Sequence, residues 1–280
     1  VVHPREKDLV IGSHGQGVWI LDDTRAIAEW ADATAPVTVF SAPLGTIKLW
    51  KKDTSYRGQD KFAGTNPVNG VEVTYRINEA SGLRATMRVV RIADNAVVRE
   101  MSVPGTVGTH RVNWDLRHGG PGVSTSWVRH DSPDLARPID PWGPWVSPGE
   151  YELIIEAGSE RGAGRVEVRG DPDMPITQEM YEEREGFMLD ALDLLARIER
   201  AQRDAGFSVG GPTRGQQAGG RSPEDLLRSA YDKVEEAYDA LNGGAVRQGS
   251  LYPPTPSQRA EVDEARRLVD EALREPSPRP

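Results

Sequence analysis

The hydrophobic period of this chain changes at Gly170-Asp171-Pro172. Upstream, apolar residues recur at every second position. Val112, Trp114 and Leu116 alternate with Arg111, Asn113, Asp115 and Arg117, and Val71, Val73 and Tyr75 alternate with Glu72, Thr74 and Arg76. Downstream they recur at spacings of three and four, as in Phe187, Met188, Ala191, Leu192, Leu195 and Ile198. Period two lines one face of a pleated strand and period 3.6 lines one face of a helix, so a single element cannot satisfy both. The expectation is a mainly β region followed by an α region.

Within the β region, residues 71–170 read as an Ig-like β-sandwich. Ala85 to Ile92 and Ala96 to Val103 are apolar runs joined by Ala93-Asp94-Asn95, a hairpin turn. Ser147-Pro148-Gly149 opens a strand through Tyr151, Leu153, Ile154 and Ile155, and Val166-Glu167-Val168 closes the set. Six or seven short strands in about 100 residues, with no helix pattern among them, suit that architecture. Residues 118–146 interrupt it with a loop rich in Pro and Gly that carries Trp127, His130, Asp131, Trp142 and Trp145.

Residues 171–280 read as a three-helix bundle with a Gly-rich loop over 206–220. Thr177 caps the first helix, and Ser222-Pro223-Glu224-Asp225 opens the second with a cap, a proline at the first turn and acids behind it. Thr255-Pro256-Ser257-Gln258 is a capping box for the third. Leu227, Ala230, Val234, Ala237, Tyr238 and Leu241 form one apolar stripe, and Val262, Ala265, Leu268, Val269 and Ala272 form another. The acids between them read as a solvated outer face.

Residues 1–23 hold two apolar runs, Leu9-Val10-Ile11 and Val18-Trp19-Ile20-Leu21, around the loop Ser13-His14-Gly15-Gln16-Gly17. That pattern predicts a β-hairpin, which is marginal alone and must pack on something else. Residues 24–70 read as a connector: Thr24 caps a short helix with Ile27 and Trp30 on one side, Val37 to Phe40 form a strand, and residues 51–69 form a polar loop. The opening Val1-Val2-His3-Pro4 carries no initiator Met, basic n-region or apolar h-region, so the chain reads as a piece of a longer protein with any signal peptide outside it.

The run His3-Pro4-Arg5 through Asp8-Leu9-Val10-Ile11-Gly12-Ser13-His14-Gly15 to Gly17-Val18-Trp19-Ile20-Leu21-Asp22-Asp23 resembles the last propeller blade of bacterial sortilin-like, BNR (Asp-box) repeat proteins, often labelled glycosyl hydrolases. Gly108 to Arg117 and Gly143 to Tyr151 are similar to that family's domain after the propeller, which itself looks like the Ig-like domain of flagellar hook-capping proteins. The loop departs from a full Asp box, because His14 stands in the part of the loop where the Asp belongs. The resemblance implies a secreted or periplasmic protein whose propeller lies largely outside this chain, the hairpin being a remnant of its last blade. It also implies that the rest of the propeller is a partner, together with a protein or glycan ligand, and that any activity of the parent is glycoside hydrolysis.

The residues themselves supply little chemistry. A net charge of −9 disfavours nucleic acid as a partner, no run approaches the roughly 20 apolar residues of a membrane span, and the absence of cysteine removes thiol chemistry. The five histidines show no metal-ligand spacing, and no phosphate loop or nucleophile elbow is present, so no catalytic residue, metal or cofactor is assigned. Asp22 and Asp23 are adjacent at a strand end and suit turn capping better than paired acid and base work. The candidate ligand site is a sugar-stacking platform of Trp127, Trp142 and Trp145 with His130 and Asp131. The plainer reading, in which these indoles pin the loop by packing, carries more weight. The function that follows is a non-catalytic structural and interaction module; the alternative is a glycan-binding module or part of a glycoside hydrolase.

Overall fold

A computed structural model describes residues 1–15, 17–50, 69–79, 82–120, 143–209, 222–243 and 249–274. These residues divide into two units. One takes the described residues within Val1–Lys48, Pro67–Arg117 and Ser147–Met174, and the other takes the rest. The chain is α+β, with mixed sheets in the first unit and three long helices in the second.

The first unit contains β1 (Leu9–Ser13), β2 (Gly17–Leu21), the short helix α1 (Arg25–Ala28), a 3-10 turn (Trp30–Asp32), β3 (Val37–Val39), β4 (Gly45–Thr46), β5 (Val71–Ile77), β6 (Arg84–Arg91), β7 (Val97–Pro104), β8 (Gly108–Trp114), β9 (Gly149–Ala157) and β10 (Glu160–Arg169). They form a hairpin sheet β1-β2, a five-stranded sheet in the order β4-β10-β9-β6-β7 and a three-stranded sheet in the order β3-β5-β8. All pairings are antiparallel except β4 with β10.

The two larger sheets meet through residues with little room to spare. A Cβ on Gly162 or Gly164 of β10 would fall 2.6 Å from Val37 O and 2.7 Å from Val39 Cγ1 of β3, so side chains at those positions would push the strands apart. Trp114 of β8 meets Tyr151 of β9 edge to face at 5.3 Å, the arrangement that the ring quadrupoles favour. Three buried aromatics of these sheets have their polar atoms satisfied. Trp114 Nε1 donates to Arg117 O at 3.1 Å, Tyr151 Oη to Ser147 O at 2.6 Å and Tyr75 Oη to Pro104 O at 2.6 Å. Burial pushes the Tyr75 phenol up to about 12, because the phenolate would lose its hydration.

Local sequence accounts for the strand ends. The 93–95 turn forms with Asn95 at φ 58° and with Ala96 N–H donating to the Asp94 carboxylate at 3.1 Å, the roles these residue types take in turns. The alternation through Leu116 runs past the strand itself, because β8 stops at Trp114 and Leu116 adopts φ 59°. Leu116 is buried, but at a bend that returns the Arg117 carbonyl to the Trp114 indole. Thr24 differs from its expected role. It makes no side-chain cap on α1, and its hydroxyl donates to Lys7 O at 2.6 Å instead.

The second unit contains α2 (Gln178–Asp204), α3 (Pro223–Asn242) and α4 (Pro256–Arg274). All three expected caps form. Met180 N–H donates to Thr177 Oγ1 at 3.4 Å and Asp225 N–H to Ser222 Oγ at 3.2 Å. The capping box is reciprocal, with Gln258 N–H to Thr255 Oγ1 at 3.3 Å and Thr255 N–H to Gln258 Oε1 at 2.8 Å. One buried cluster joins the three stripes, from Phe187, Met188 and Ile198 through Leu227, Tyr231 and Val234 to Val262 and Val269. Among the described residues no helix is long and apolar enough to cross a membrane.

The expectation of acids lying on a solvated face needs correction within this unit. Glu185 and Glu199 are buried, as is Arg184. Arg184 Nε donates to Ser250 O at 2.8 Å and its Nη2 to Leu241 O at 3.1 Å. It thus satisfies carbonyls at and beyond the C-terminal turn of α3, where a cation is also favoured by the helix dipole. Glu185 pairs with His118 Nε2, and Glu199 with Arg203 one turn on. Helical spacing identifies the apolar stripe, but it does not say which flanking charges the neighbouring segments will cover.

Candidate functional site

The hairpin β1-β2 is the least satisfied element of the described residues. In its register Leu9 faces Leu21, Val10 faces Ile20, Ile11 faces Trp19 and Gly12 faces Val18. Directly paired residues share a face, and faces alternate along each strand. One face therefore carries Leu9, Ile11, Trp19 and Leu21, and the other carries Val10, Val18 and Ile20. Both are apolar. Yet Val18, Trp19 and Ile20 are 69%, 65% and 61% exposed. A sheet with one face in water alternates apolar and polar residues, whereas a near-continuous apolar run belongs to a strand covered on both sides. The runs Leu9-Val10-Ile11 and Val18-Trp19-Ile20-Leu21 carry that second signature.

Polar anchors hold the hairpin in shape at its open end. His3 N–H donates to Asp8 O at 2.7 Å, Thr24 N–H to Lys7 O at 3.0 Å and Asp23 N–H to Asp8 Oδ1 at 3.1 Å. At the tip, Gly15 at φ 77° and Gly17 at φ 101° supply the left-handed backbone of the turn. Asp23 is tied down as well: its Oδ1 accepts from Arg25 Nη1 at 2.7 Å and from the Arg25 N–H at 3.2 Å. This is a turn-capping carboxylate. The surface is preformed, with hydrogen bonds at its base and apolar side chains along its length.

Trp127, His130, Asp131 and Trp142 lie outside the described residues. Trp145 lies within them and is 2% exposed, so its indole offers no open face to a sugar. The chain is drawn tight just before it. His118 N–H donates to Pro144 O at 2.9 Å, and a Cβ on Gly143 would fall 2.4 Å from His118 O, so only glycine fits at 143. His118 is buried against Glu185. No spacing rule picks out this pair, because its members are far apart in sequence.

Two other histidines have local roles. His3 Nδ1 accepts from Glu6 N–H at 3.1 Å, and His110 Nε2 donates to Thr106 O at 2.7 Å. Among the described residues no group of three or more His, Asp or Glu side chains is placed to hold a metal ion. Glu235 on α3 is pushed up to about 7 by burial and then by Asp239 and Asp232. Burial and the neighbouring Glu236 also raise Asp232. These are like charges crowded along one helix (residues i, i+3, i+4 and i+7), a source of repulsion within the fold.

No protein-family model matches the chain, and no curated protein matches it either. The likeness to sortilin-like propeller proteins thus rests on the residues that carry it.

Proposed function

We propose that this chain is a non-catalytic structural and interaction module, the C-terminal region of a secreted or periplasmic sortilin-like β-propeller protein. In this reading β1-β2 completes the last propeller blade, the two larger sheets form an Ig-like sandwich, and α2, α3 and α4 form a three-helix bundle. The observation that carries it is the two-faced apolarity of an exposed hairpin. Stacked propeller blades cover both faces of each sheet, which is the environment that Leu9, Ile11, Trp19 and Leu21 on one side and Val10, Val18 and Ile20 on the other are suited to. The larger sheets support the sandwich reading through the Trp114–Tyr151 contact and the close approach of β3 to β10.

Amide hydrogen exchange tests the proposal. In this 280-residue chain the amides of residues 9–13 and 17–21 are expected to exchange rapidly relative to those of β5 and β9. In the natural gene product carrying any preceding sequence, protection at the hairpin is expected to rise towards that of β9. Equal, rapid exchange at the hairpin in both proteins would overturn the reading.

A further inference from the structure

Behind the hairpin, within the first unit, lies an open cleft of about 200 Å³. Its walls are Leu21 at the end of β2 and Ile27 and Trp30 from α1 and the following turn, and its floor includes Thr74, Thr109 and Arg111. The floor is one face of the β5-β8 pair. Thr74 pairs with Arg111 and Arg76 with Thr109, so two threonines and two arginines occupy a single square of the sheet, with Arg111 on the floor of the cleft and Arg76 beside it. The diagonal between its arginines is about 7–8 Å at the backbone.

The charges around this square are unbalanced in an otherwise acidic chain. Arg76 lies over the Trp30 ring, 4.3 Å from its centroid, and no carboxylate pairs with it among the described residues. Among the described residues Arg111 pairs with Glu72 alone, at 3.4 Å on the side away from Arg76, with both side chains about half exposed, a geometry that holds an arginine weakly. Asp23, the acid in the lining, is already neutralised by Arg25. The cleft thus joins an apolar wall to a cationic, hydroxyl-bearing floor. It is smaller than the roughly 300–1,000 Å³ of drug-sized pockets, and so suits a single ring or short branched chain.

We propose that this cleft is a binding site for a small amphipathic carboxylate, with its apolar body against Leu21, Ile27 and Trp30 and its carboxylate on Arg111, within the field of Arg76 beside the cleft. Planar guanidinium groups recognise carboxylates with directed, charge-assisted hydrogen bonds. Thr109 stands beside them to add a neutral donor. The site shares Leu21 with the hairpin face that the propeller reading covers, but its other contacts, Ile27, Trp30, Thr109 and Arg111, lie outside the hairpin.

The test uses phenylacetate and its neutral isostere phenylacetamide, titrated into the isotopically labelled 280-residue chain. Readouts are the Trp30 indole N–H and the amides of Ile27, Thr109 and Arg111. Phenylacetate is expected to give saturable shifts confined to these signals, and phenylacetamide to bind about tenfold more weakly for want of the charge-assisted bonds. The double substitution Arg76→Gln/Arg111→Gln should erase the difference between the two probes. Ile27→Asp, at an exposed position that leaves the core untouched, should abolish binding of both. An unchanged thermal melt of each variant shows that the fold is retained. Absence of shifts up to about 10 mM, well above the millimolar range of weak ligands, would overturn the proposal. So would equal binding of acid and amide, or shifts that survive both variants.

Discussion

Two antiparallel hairpins in the same unit meet opposite fates. In β9-β10, Tyr151, Leu153, Ile155, Val166 and Val168 are buried, while Glu167 and Arg169 between and beyond them stay in water. In β1-β2 the side chains are at least as apolar, yet every residue of β2 is exposed. Backbone pairing is continuous in both, from Leu9 with Leu21 to Ser13 with Gly17 in one and from Gly149 with Val168 to Ala157 with Glu160 in the other. Hydrogen-bonded register therefore does not distinguish them. The presence of a second layer does, because burial against β3, β5 and β8 is what turns an apolar strand face into stability. An apolar hairpin without that layer keeps its side chains in water.

This contrast can be tested by substitution, beginning where the effect is largest. Trp114→Ala removes a fully buried indole and its contact with Tyr151, and urea unfolding is expected to show a loss of about 3–5 kcal/mol. Arg184→Leu leaves the Leu241 and Ser250 carbonyls without their donor. It should cost about 2–3 kcal/mol and speed amide exchange near the end of α3.

Glu235 offers a smaller effect with a definite sign. Its folded pKa, about 7, lies above the usual carboxylate range, so between roughly pH 4.5 and pH 7 the folded state binds more protons than the unfolded one. Stability is then fully present at the acid end of that window and declines as the pH rises through it. Glu235→Gln should remove this decline and stabilise the protein by about 1 kcal/mol at pH 8, after allowance for solvent screening of a partly exposed helix position. A pH series of thermal melts in which the variant and the parent keep the same slope would contradict the assignment.

The smallest effect belongs to the open hairpin. Val18→Thr/Ile20→Thr should change the unfolding free energy of this chain by less than about 0.5 kcal/mol, because the side chains are already in water. The same pair should reduce binding of an apolar dye. A loss comparable to that of Trp114→Ala would mean that the hairpin is covered in solution, and the contrast with β9-β10 would fail.

The helical region was legible from local signals. Thr177, Ser222 and the Thr255/Gln258 box all cap where expected, and the three stripes are buried. Caps and periodic stripes act over a few residues, so sequence distance is a fair guide to them. The β turn at 93–95 was legible for the same reason. Thr24 was not, since its hydroxyl found Lys7 at a separation of 17 residues rather than the N–H groups of its own helix. Four of the five residues of the suggested sugar platform lie outside the described residues, and the fifth, Trp145, is buried.

By itself the sequence determined the class of each region, the caps of the three long helices, the 93–95 turn and the apolar faces, because those depend on periodicity and on the conformational limits of Gly, Pro, Asn and Asp. It also carried the two-faced apolarity of the hairpin, which can be read from two unbroken runs. The tertiary structure decided which charges are buried. Arg184 meets Leu241 and Ser250 across 57 and 66 residues, and His118 meets Glu185 across 67. It also brought Leu21, Trp30 and Arg111 to one cleft. No local rule anticipates such pairings, since they depend on which distant segments the chain folds together, and the free energy of a buried charge depends on what surrounds it.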